Sequence, residues 1–263
     1  GHDGSILAQA GVNALTPVKA IARGCDQGPT YSGDTPPARA RRRSYDAAIS
    51  TAARPRMIIS HQHRFVFAAI PKTGTHSVRQ ALRQHLSDDD LEQVGLFVNK
   101  RFPFEELAAI KHGHISLQQI RPFLGEQAFA SYFKFAFVRN PFDRFISYCA
   151  FMTRADGAFL RNPKQVMHYI LRDERPRQHV LFQPQHGFIT DTDGSLLADH
   201  VGRVEDMQAS YDAICERLEL PGATLEQVNT SRRGSYRDYY DDALIDGVAQ
   251  LYRRDLELFG YGF

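Results

Sequence analysis

The sequence predicts an α/β fold in which helices cover a central parallel sheet. Two short apolar runs, at residues 64–70 and 133–138, are rich in aromatic and β-branched residues, which is typical of buried strands. Each run is followed by a proline and then by a segment with helical periodicity. Because strand–loop–helix units that recur along a chain form parallel sheets covered by helices, this pattern indicates the α/β class.

The helices follow from the spacing of apolar side chains. In the segment 77–86 the apolar residues recur on one face, which predicts a helix after the first strand. The segment 143–151 predicts the helix that follows the second strand. Residues 242–259 carry apolar side chains at helical spacing, so the C-terminal segment is also predicted to be helical.

Composition and periodicity together predict one folded domain preceded by an extension. The chain has 263 residues, of which 43% are hydrophobic and 24% charged, as in ordinary globular proteins. Residues 1–56 lack a persistent apolar pattern and contain a basic run at 39–43. We therefore predict a disordered or non-native extension at 1–56 and the folded domain at 57–263. The extension has no basic start followed by an apolar core, so it predicts no secretory signal.

Several protein classes are excluded by simple counts. A formal net charge of +2 gives no electrostatic case for a nucleic-acid binder. No apolar run reaches the ~18 residues of a membrane span. Three scattered cysteines predict neither a disulfide framework nor a zinc cluster, and they suit a reducing compartment. We expect a cytoplasmic, bacterial-like layout with no membrane or nucleic-acid partner; the oligomeric state, monomer or homodimer, stays open.

The loop after the first strand, Pro71-Lys72-Thr73-Gly74-Thr75-His76-Ser77, is a candidate anion site. A loop that leads into a helix presents free main-chain N–H groups and the positive end of the helix dipole. Gly74 permits close approach of a ligand, and Lys72 adds a positive charge. Hydroxyl donors come from Thr73, Thr75 and Ser77. Since Lys72 precedes the only glycine, the loop is not a Walker A motif; the alternative is a hydroxyl-rich helix start with no ligand.

A second candidate anion site follows the second strand. Arg139 stands at the carboxyl end of that strand, where open α/β sheets bind their ligands. Ser147 lies eight residues further on, about two turns into the next helix. An arginine fork and a serine hydroxyl can share one phosphate. The alternatives are a surface ion pair for Arg139 and an ordinary helix position for Ser147.

These loops resemble those of sulfotransferases that use 3′-phosphoadenosine 5′-phosphosulfate (PAPS). The loop 71–77 resembles the 5′-phosphosulfate loop P-K-[ST]-[GA]-[ST]-[ST]-[ST], with His76 at a hydroxyl position. The segment 139–147 is similar to the 3′-phosphate motif R-[ND]-P-x-x-R-x-x-S. Residues 202–205, 228–231 and 251–261 look like later landmarks of the carbohydrate branch of the family. The resemblance covers residues 58–263 and implies a P-loop-like, three-layer α/β fold without ATP hydrolysis.

The resemblance also implies roles for individual residues. Lys72 would contact the bridging oxygen of the donor, and the rest of the loop would surround the 5′ phosphosulfate. The polar loop at 229–235 would fold over the nucleotide, although a plain exposed loop is the alternative. Arg203 and Glu205 are expected to form a structural ion pair rather than to contact the donor. The implied donor-binding residues are Lys72, Thr73, Gly74, Thr75, His76, Ser77, Arg139, Ser147, Asn229, Ser231 and Arg232.

Sulfuryl transfer to a hydroxyl also needs a base, and the segment Lys111-His112-Gly113-His114-Ile115-Ser116 is the best candidate. In an extended segment His112 and His114 point to the same face, and a histidine pKa of about 6.5 suits proton abstraction at neutral pH. The segment resembles the H-G-H-[VI]-S of uronosyl 2-O-sulfotransferases, which implies His114 as base and His112 as its neighbour. Alternatives are a zinc site, structural histidines, or a glutamate base at Glu105 or Glu106.

We therefore expect a PAPS-dependent O-sulfotransferase that needs no metal and acts on a carbohydrate hydroxyl. The small net charge argues against a densely anionic polymer such as heparan as acceptor. A tyrosine in a peptide is the alternative acceptor. Two further alternatives are a P-loop kinase, which should show a Walker A lysine and an acidic Mg²⁺ ligand, and a non-catalytic nucleotide-binding protein. The presence of Lys72, Arg139 and Ser147 together weighs against the last of these.

Overall fold

The structure, a computed structural model, describes residues 57–92, 104–108, 110, 112–225 and 234–263. The predicted extension at 1–56 and the three loop residues Asn229, Ser231 and Arg232 lie outside the described residues. The strands are β1 (Ile58–Ser60), β2 (Phe65–Ala68), β3 (Leu91–Glu92), β4 (Phe133–Val138) and β5 (His200–Arg203). Within the described residues the α-helices are α1 (Thr75–Leu82), α2 (Glu105–Ala108), α3 (Leu117–Leu124), α4 (Glu126–Ser131), α5 (Pro141–Met152), α6 (Ala158–Arg161), α7 (Pro163–Arg172), α8 (Met207–Leu218), α9 (Asp242–Leu251) and α10 (Arg253–Phe259).

The described strands form one mixed sheet in the order β3-β1-β2-β4-β5. The predicted strands β2 and β4 pair in parallel, as the sequence predicts, and β5 pairs in parallel with β4. The short strand β1 pairs antiparallel with β2, and β3 pairs antiparallel with β1. A short turn joins β1 to β2, and strands joined this way must run antiparallel because a parallel pair needs a long crossover. The sheet is therefore parallel at its centre and antiparallel at one edge.

Alternation along the central strands places helices on both faces of the sheet. Phe65 and Phe67 point to the face covered by α1 and α8, and the Phe67 ring stacks on Phe135 with centroids 5.3 Å apart. Val66 and Ala68 point to the opposite face, where they pack with residues of α3, α4 and α10. This arrangement of helix, sheet and helix confirms the three-layer α/β architecture.

A third apolar cluster lies beside the sheet, between α5, α7 and α9. The C-terminal segment predicted to be helical forms two helices, α9 and α10, which meet at Tyr252. The buried Tyr252 hydroxyl donates to the Phe182 carbonyl at 2.8 Å, so the break between the helices is tied to the segment after α7. No helix in the described part of the chain is long and apolar enough to cross a membrane.

Candidate active site

The parallel pairing of β2 with β4 brings the two predicted anion loops together. The register runs from Phe65 opposite Phe133 to Ala68 opposite Ala136, so both strands end at the same edge of the sheet. The loops that follow them meet there, since one guanidinium nitrogen of Arg139 lies 3.5 Å from the Lys72 carbonyl oxygen. Two motifs more than sixty residues apart in the chain thus form one site.

The first loop presents main-chain N–H groups at the start of α1. Gly74, the residue before the helix, has φ +64° and offers no side-chain cap to those groups. The positive φ is what favours glycine here, since a Cβ at this position would meet only the flexible end of Met207, with Cε at 2.9 Å. The Thr73 hydroxyl donates to the Ile70 carbonyl at 3.0 Å, and this bond holds the loop from inside. The helix start is therefore suited to an anion.

Lys72 is held in an unusual conformation beside an aromatic ring. Its φ of +65° lies in the left-handed region, which is costly for a residue with a side chain and is common at functional sites. Its ammonium nitrogen lies 4.3 Å from the centroid of the Phe151 ring, a cation–π distance. Phe151 belongs to α5, so Lys72 links the first loop to the helix that follows the second loop.

One face of α5 is directed toward both loops. Asp143, Ser147 and Phe151 are spaced by four residues and share a face of the helix. Asp143 accepts hydrogen bonds from Nε and Nη2 of Arg139, at 2.7 and 2.5 Å. Because Asp143 contacts Arg139 and Phe151 contacts Lys72, Ser147 lies between these contacts on the same face. Its place in the helix therefore sets Ser147 between the residues that contact the two cations, and its role toward a phosphate stays a prediction.

Arg144 is a site residue to which the sequence analysis gave no role. Its side chain is 1% exposed, and its Nε donates to the Pro71 carbonyl at 2.9 Å. Burial is the main cause that lowers the pKa of this guanidinium. Two further carbonyls, after α7, accept hydrogen bonds from the same side chain. Arg144 therefore fixes Pro71, the first residue of the anion loop. The sequence could have pointed to this role, because Arg144 is the second arginine of the 139–147 motif.

The C-terminal segment is attached to the second loop through Asn140 and Glu205. The Asn140 side chain caps α5 by accepting from the Phe142 N–H at 3.0 Å, and its amide nitrogen donates to the Gly262 carbonyl at 2.9 Å. The Asn140 N–H donates to Glu205 at 2.7 Å, and the other Glu205 oxygen accepts from the Tyr261 hydroxyl at 2.8 Å. Glu205 thereby ties the start of α5 to the end of the chain.

Arg203, for which the sequence predicts an ion pair with Glu205, also contacts the C-terminal segment. Its guanidinium lies 4.6 Å from the centroid of the Tyr261 ring and donates to the Phe259 carbonyl. Burial first, and then the neighbouring Glu205 carboxylate, raise the pKa of the Tyr261 phenol. In the structure the contacts of both residues anchor the chain end, and the ion pair predicted between them stays a prediction.

His114 is buried behind the anion loop in a defined orientation. It is 4% exposed, and its Nδ1 lies 2.7 Å from the Ala69 carbonyl oxygen, at the end of the first strand. A carbonyl oxygen can only accept, so Nδ1 carries the hydrogen and the lone pair of the neutral ring is on Nε2. Nε2 is therefore the ring nitrogen that can take up a proton. His112 is half-buried two residues earlier, and Ser116 caps α3 just after.

His76 supplies a hydrogen-bond donor at the position where the 5′-phosphosulfate loop pattern has a serine or threonine hydroxyl. Its Nδ1 lies 2.8 Å from a guanidinium nitrogen of Arg79, which is buried. A guanidinium can only donate, so Nδ1 of His76 accepts and Nε2 of the neutral ring carries the hydrogen. The ring therefore offers an N–H where serine or threonine would offer an O–H. Among the described residues, no group of three or more His, Cys, Asp or Glu residues could hold a metal ion.

Comparison with known families agrees with this geometry. The model of the sulfotransferase family matches residues 55–262, which include both anion loops, His114 and the C-terminal helices. No curated protein and no solved structure was found to match the chain. Because the match extends over most of the sequence and contains the whole site, the chain belongs to the sulfotransferase family, whose members transfer sulfuryl groups.

Proposed function

We propose that this chain transfers a sulfuryl group from PAPS to a hydroxyl group of a carbohydrate. The observation that carries the proposal is the meeting of Lys72 and Arg139 beside the start of α1. It creates two neighbouring places for anionic groups, one at the helix start and one at Arg139. A nucleotide with a phosphosulfate on its 5′ side and a phosphate on its 3′ side needs two such places.

The described residues fit this donor. The 5′ phosphosulfate would take the N–H groups of the first turn of α1, the Lys72 ammonium and Nε2–H of His76. The 3′-phosphate would take the Arg139 guanidinium together with the Ser147 hydroxyl. PAPS, when bound, supplies an activated sulfuryl group and a phosphate leaving group. The side chains already placed around the site are cationic or hydrogen-bond donors, with Asp143 as the partner that orients Arg139.

Lys72 and His114 would carry the two chemical tasks of the reaction. Lys72, held against Phe151, would stabilise negative charge on the leaving group, which is the main contribution of fixed cations to group transfer. Nε2 of His114 would take the proton from the acceptor hydroxyl. As His114 becomes an imidazolium, the hydrogen bond from its Nδ1 to the Ala69 carbonyl becomes charge-assisted and stronger. The main chain before the loop thus supports the base.

A nucleotide titration tests the donor class. The purified chain is titrated by calorimetry with 3′-phosphoadenosine 5′-phosphate (PAP) and, separately, with ATP and Mg²⁺. We expect micromolar or tighter binding of PAP and at least a hundredfold weaker binding of ATP, because ATP has no 3′-phosphate for Arg139. A preference for ATP, or equal affinities, would refute the proposal and favour a kinase or a general nucleotide-binding protein.

The acceptor is tested with labelled PAPS. Neutral oligosaccharides, uronic-acid oligosaccharides and a tyrosine-containing peptide are offered in parallel, and transfer of label is measured for each. Transfer to a sugar supports the proposal, whereas transfer to the peptide alone would replace the carbohydrate by tyrosine. The net charge of +2 is the reason to place sugars of low charge density first in the series.

A further inference from the structure

Gln185 is a fully buried side chain that binds both main-chain polar groups of Arg139. Its Oε1 accepts from the Arg139 N–H at 2.9 Å, and its Nε2 donates to the Arg139 carbonyl at 2.9 Å. Arg139 is the first residue after β4, so its main chain has passed the end of the strand ladder. The Gln185 amide thus binds the main chain of Arg139 as a neighbouring strand would, one residue beyond the end of β4. Its two hydrogen bonds fix the peptide groups on both sides of the Arg139 Cα.

Gln185 is in turn held by a buried carboxylate. Asp255 in the first turn of α10 is fully buried, and its two oxygens accept from the N–H groups of Gln185 and His186 at 2.7 and 2.9 Å. Nδ1 of His186 lies 2.7 Å from the same carboxylate. Burying a carboxylate is costly unless donors compensate it, and three donors do so here. The main chain of Gln185 is therefore fixed, and the direction of its side chain with it.

We propose that Gln185 is a positioning residue that sets how strongly the site prefers a nucleotide with a 3′-phosphate. The proposal depends on the function proposed above, which assigns that phosphate to Arg139. Asp143 holds the guanidinium end of Arg139, and Gln185 holds its main-chain end. Arginine binds phosphate through a planar, directional fork, and a shift of about 1 Å in a binding group lowers activity by about a hundredfold. A fixed main chain gives the fork its direction before the ligand arrives.

The test compares two nucleotides that differ only in the 3′-phosphate. The affinities of PAP and of adenosine 5′-phosphate (AMP) are measured by calorimetric titration for the unaltered chain and for Gln185→Met. Methionine has a similar size and forms neither hydrogen bond to Arg139. We expect the PAP affinity to fall by about tenfold, the value of one hydrogen bond to a charged group, and the AMP affinity to change by less than about twofold. AMP lacks the phosphate through which Gln185 is proposed to act.

Gln208, an exposed side chain with the same pattern of hydrogen bonds, provides a control. Its side-chain amide also joins two main-chain groups, since it accepts from the Leu225 N–H at 2.8 Å and donates to the Ala223 carbonyl at 3.0 Å. These contacts lie beside α8 and involve no residue of the proposed nucleotide site. Gln208→Met should therefore leave the ratio of the PAP and AMP affinities unchanged.

A second variant, Gln185→Glu, keeps an acceptor for the Arg139 N–H but loses the donor to its carbonyl, and it should show the same selective loss. Unchanged PAP affinity in the folded Gln185 variants would overturn the proposal. An equal loss for PAP and AMP, including the complete loss that misfolding would cause, would assign Gln185 a general structural role and would also overturn it. If the unaltered chain does not prefer PAP to AMP, the proposed function itself is refuted.

Discussion

The replacement Arg144→Met should both destabilise the fold and weaken nucleotide binding. In the structure this guanidinium donates to the carbonyls of Pro71, Leu181 and Gln183, at 2.9, 3.3 and 2.8 Å. Methionine fills a similar space but donates nothing, so three carbonyls in the interior lose their partner. Removal of the buried charge also relieves its desolvation cost, which offsets part of the loss. We therefore assign a net loss of about 1 kcal/mol to each carbonyl that loses its hydrogen bond. The free energy of unfolding should then fall by about 3 kcal/mol.

Urea unfolding, followed by far-UV circular dichroism or tyrosine fluorescence, measures this change; the chain contains no tryptophan. Arg253→Met is the control, because the Arg253 side chain is 81% exposed and its ion pair with Glu257 is 3.8 Å long. It should alter the unfolding free energy by less than about 0.5 kcal/mol. Since the Pro71 carbonyl belongs to the anion loop, Arg144→Met should also lower PAP affinity. A loss of stability no larger than that of the control would show that the three hydrogen bonds do not hold the loop.

Two further variants test the base and the first turn of the sheet. His114→Ala should lower kcat by about 10²–10⁴ with PAP affinity unchanged, as calorimetry and steady-state kinetics with PAPS can show; unaltered turnover would place the base elsewhere. Burial raises the pKa of Asp90, but hydrogen bonds from Ser87, Gln62, Ser60 and His61 outweigh it, so the pKa is lowered from its ordinary value of 3.8. Ionised Asp90 therefore stabilises the fold above pH ~4, and this contribution is lost as the pH falls through the lowered pKa. Asp90→Asn should lower the unfolding free energy by about 2 kcal/mol at pH 7, with a difference that shrinks below pH ~4; a difference independent of pH would contradict this.

The parts of the fold that the sequence predicts are those with a strong local pattern. The strand 133–138 has the bounds predicted for it, because five of its six residues are buried in a parallel strand and all except Lys134 are apolar. The strand pair β1 and β3 was not predicted, since segments of three and two residues carry no periodicity. The C-terminal helical segment is interrupted at Tyr252, whose hydroxyl makes a tertiary hydrogen bond to Phe182 that no local pattern encodes.

The candidate site also contains residues that a sequence pattern predicts and residues that no pattern predicts. The loop residues from Lys72 to Ser77, together with Arg139 and Ser147, are visible in the sequence because a ligand site at the end of a strand requires particular residue types at fixed spacing. The residues that position them are not visible. Gln185 and Asp255 bind main-chain groups of residues that are distant in the chain. Since every residue type has these main-chain groups, such contacts leave no recognisable pattern in the sequence.

The register between β2 and β4 has a consequence for how such a protein can diverge. The separation of the two anion loops is fixed by four paired positions, from Phe65 with Phe133 to Ala68 with Ala136. After β2 the chain passes through the first anion loop and α1, adds the edge strand β3, and then returns to the middle of the sheet at β4. Insertions or deletions between α1 and β4 therefore leave the pairing of β2 with β4, and with it the distance between the loops, unchanged. Donor recognition and the length of the connecting segment are thereby independent. Related chains can lengthen or shorten the segment between α1 and β4, and with it the surface offered to an acceptor, while they keep both anion loops.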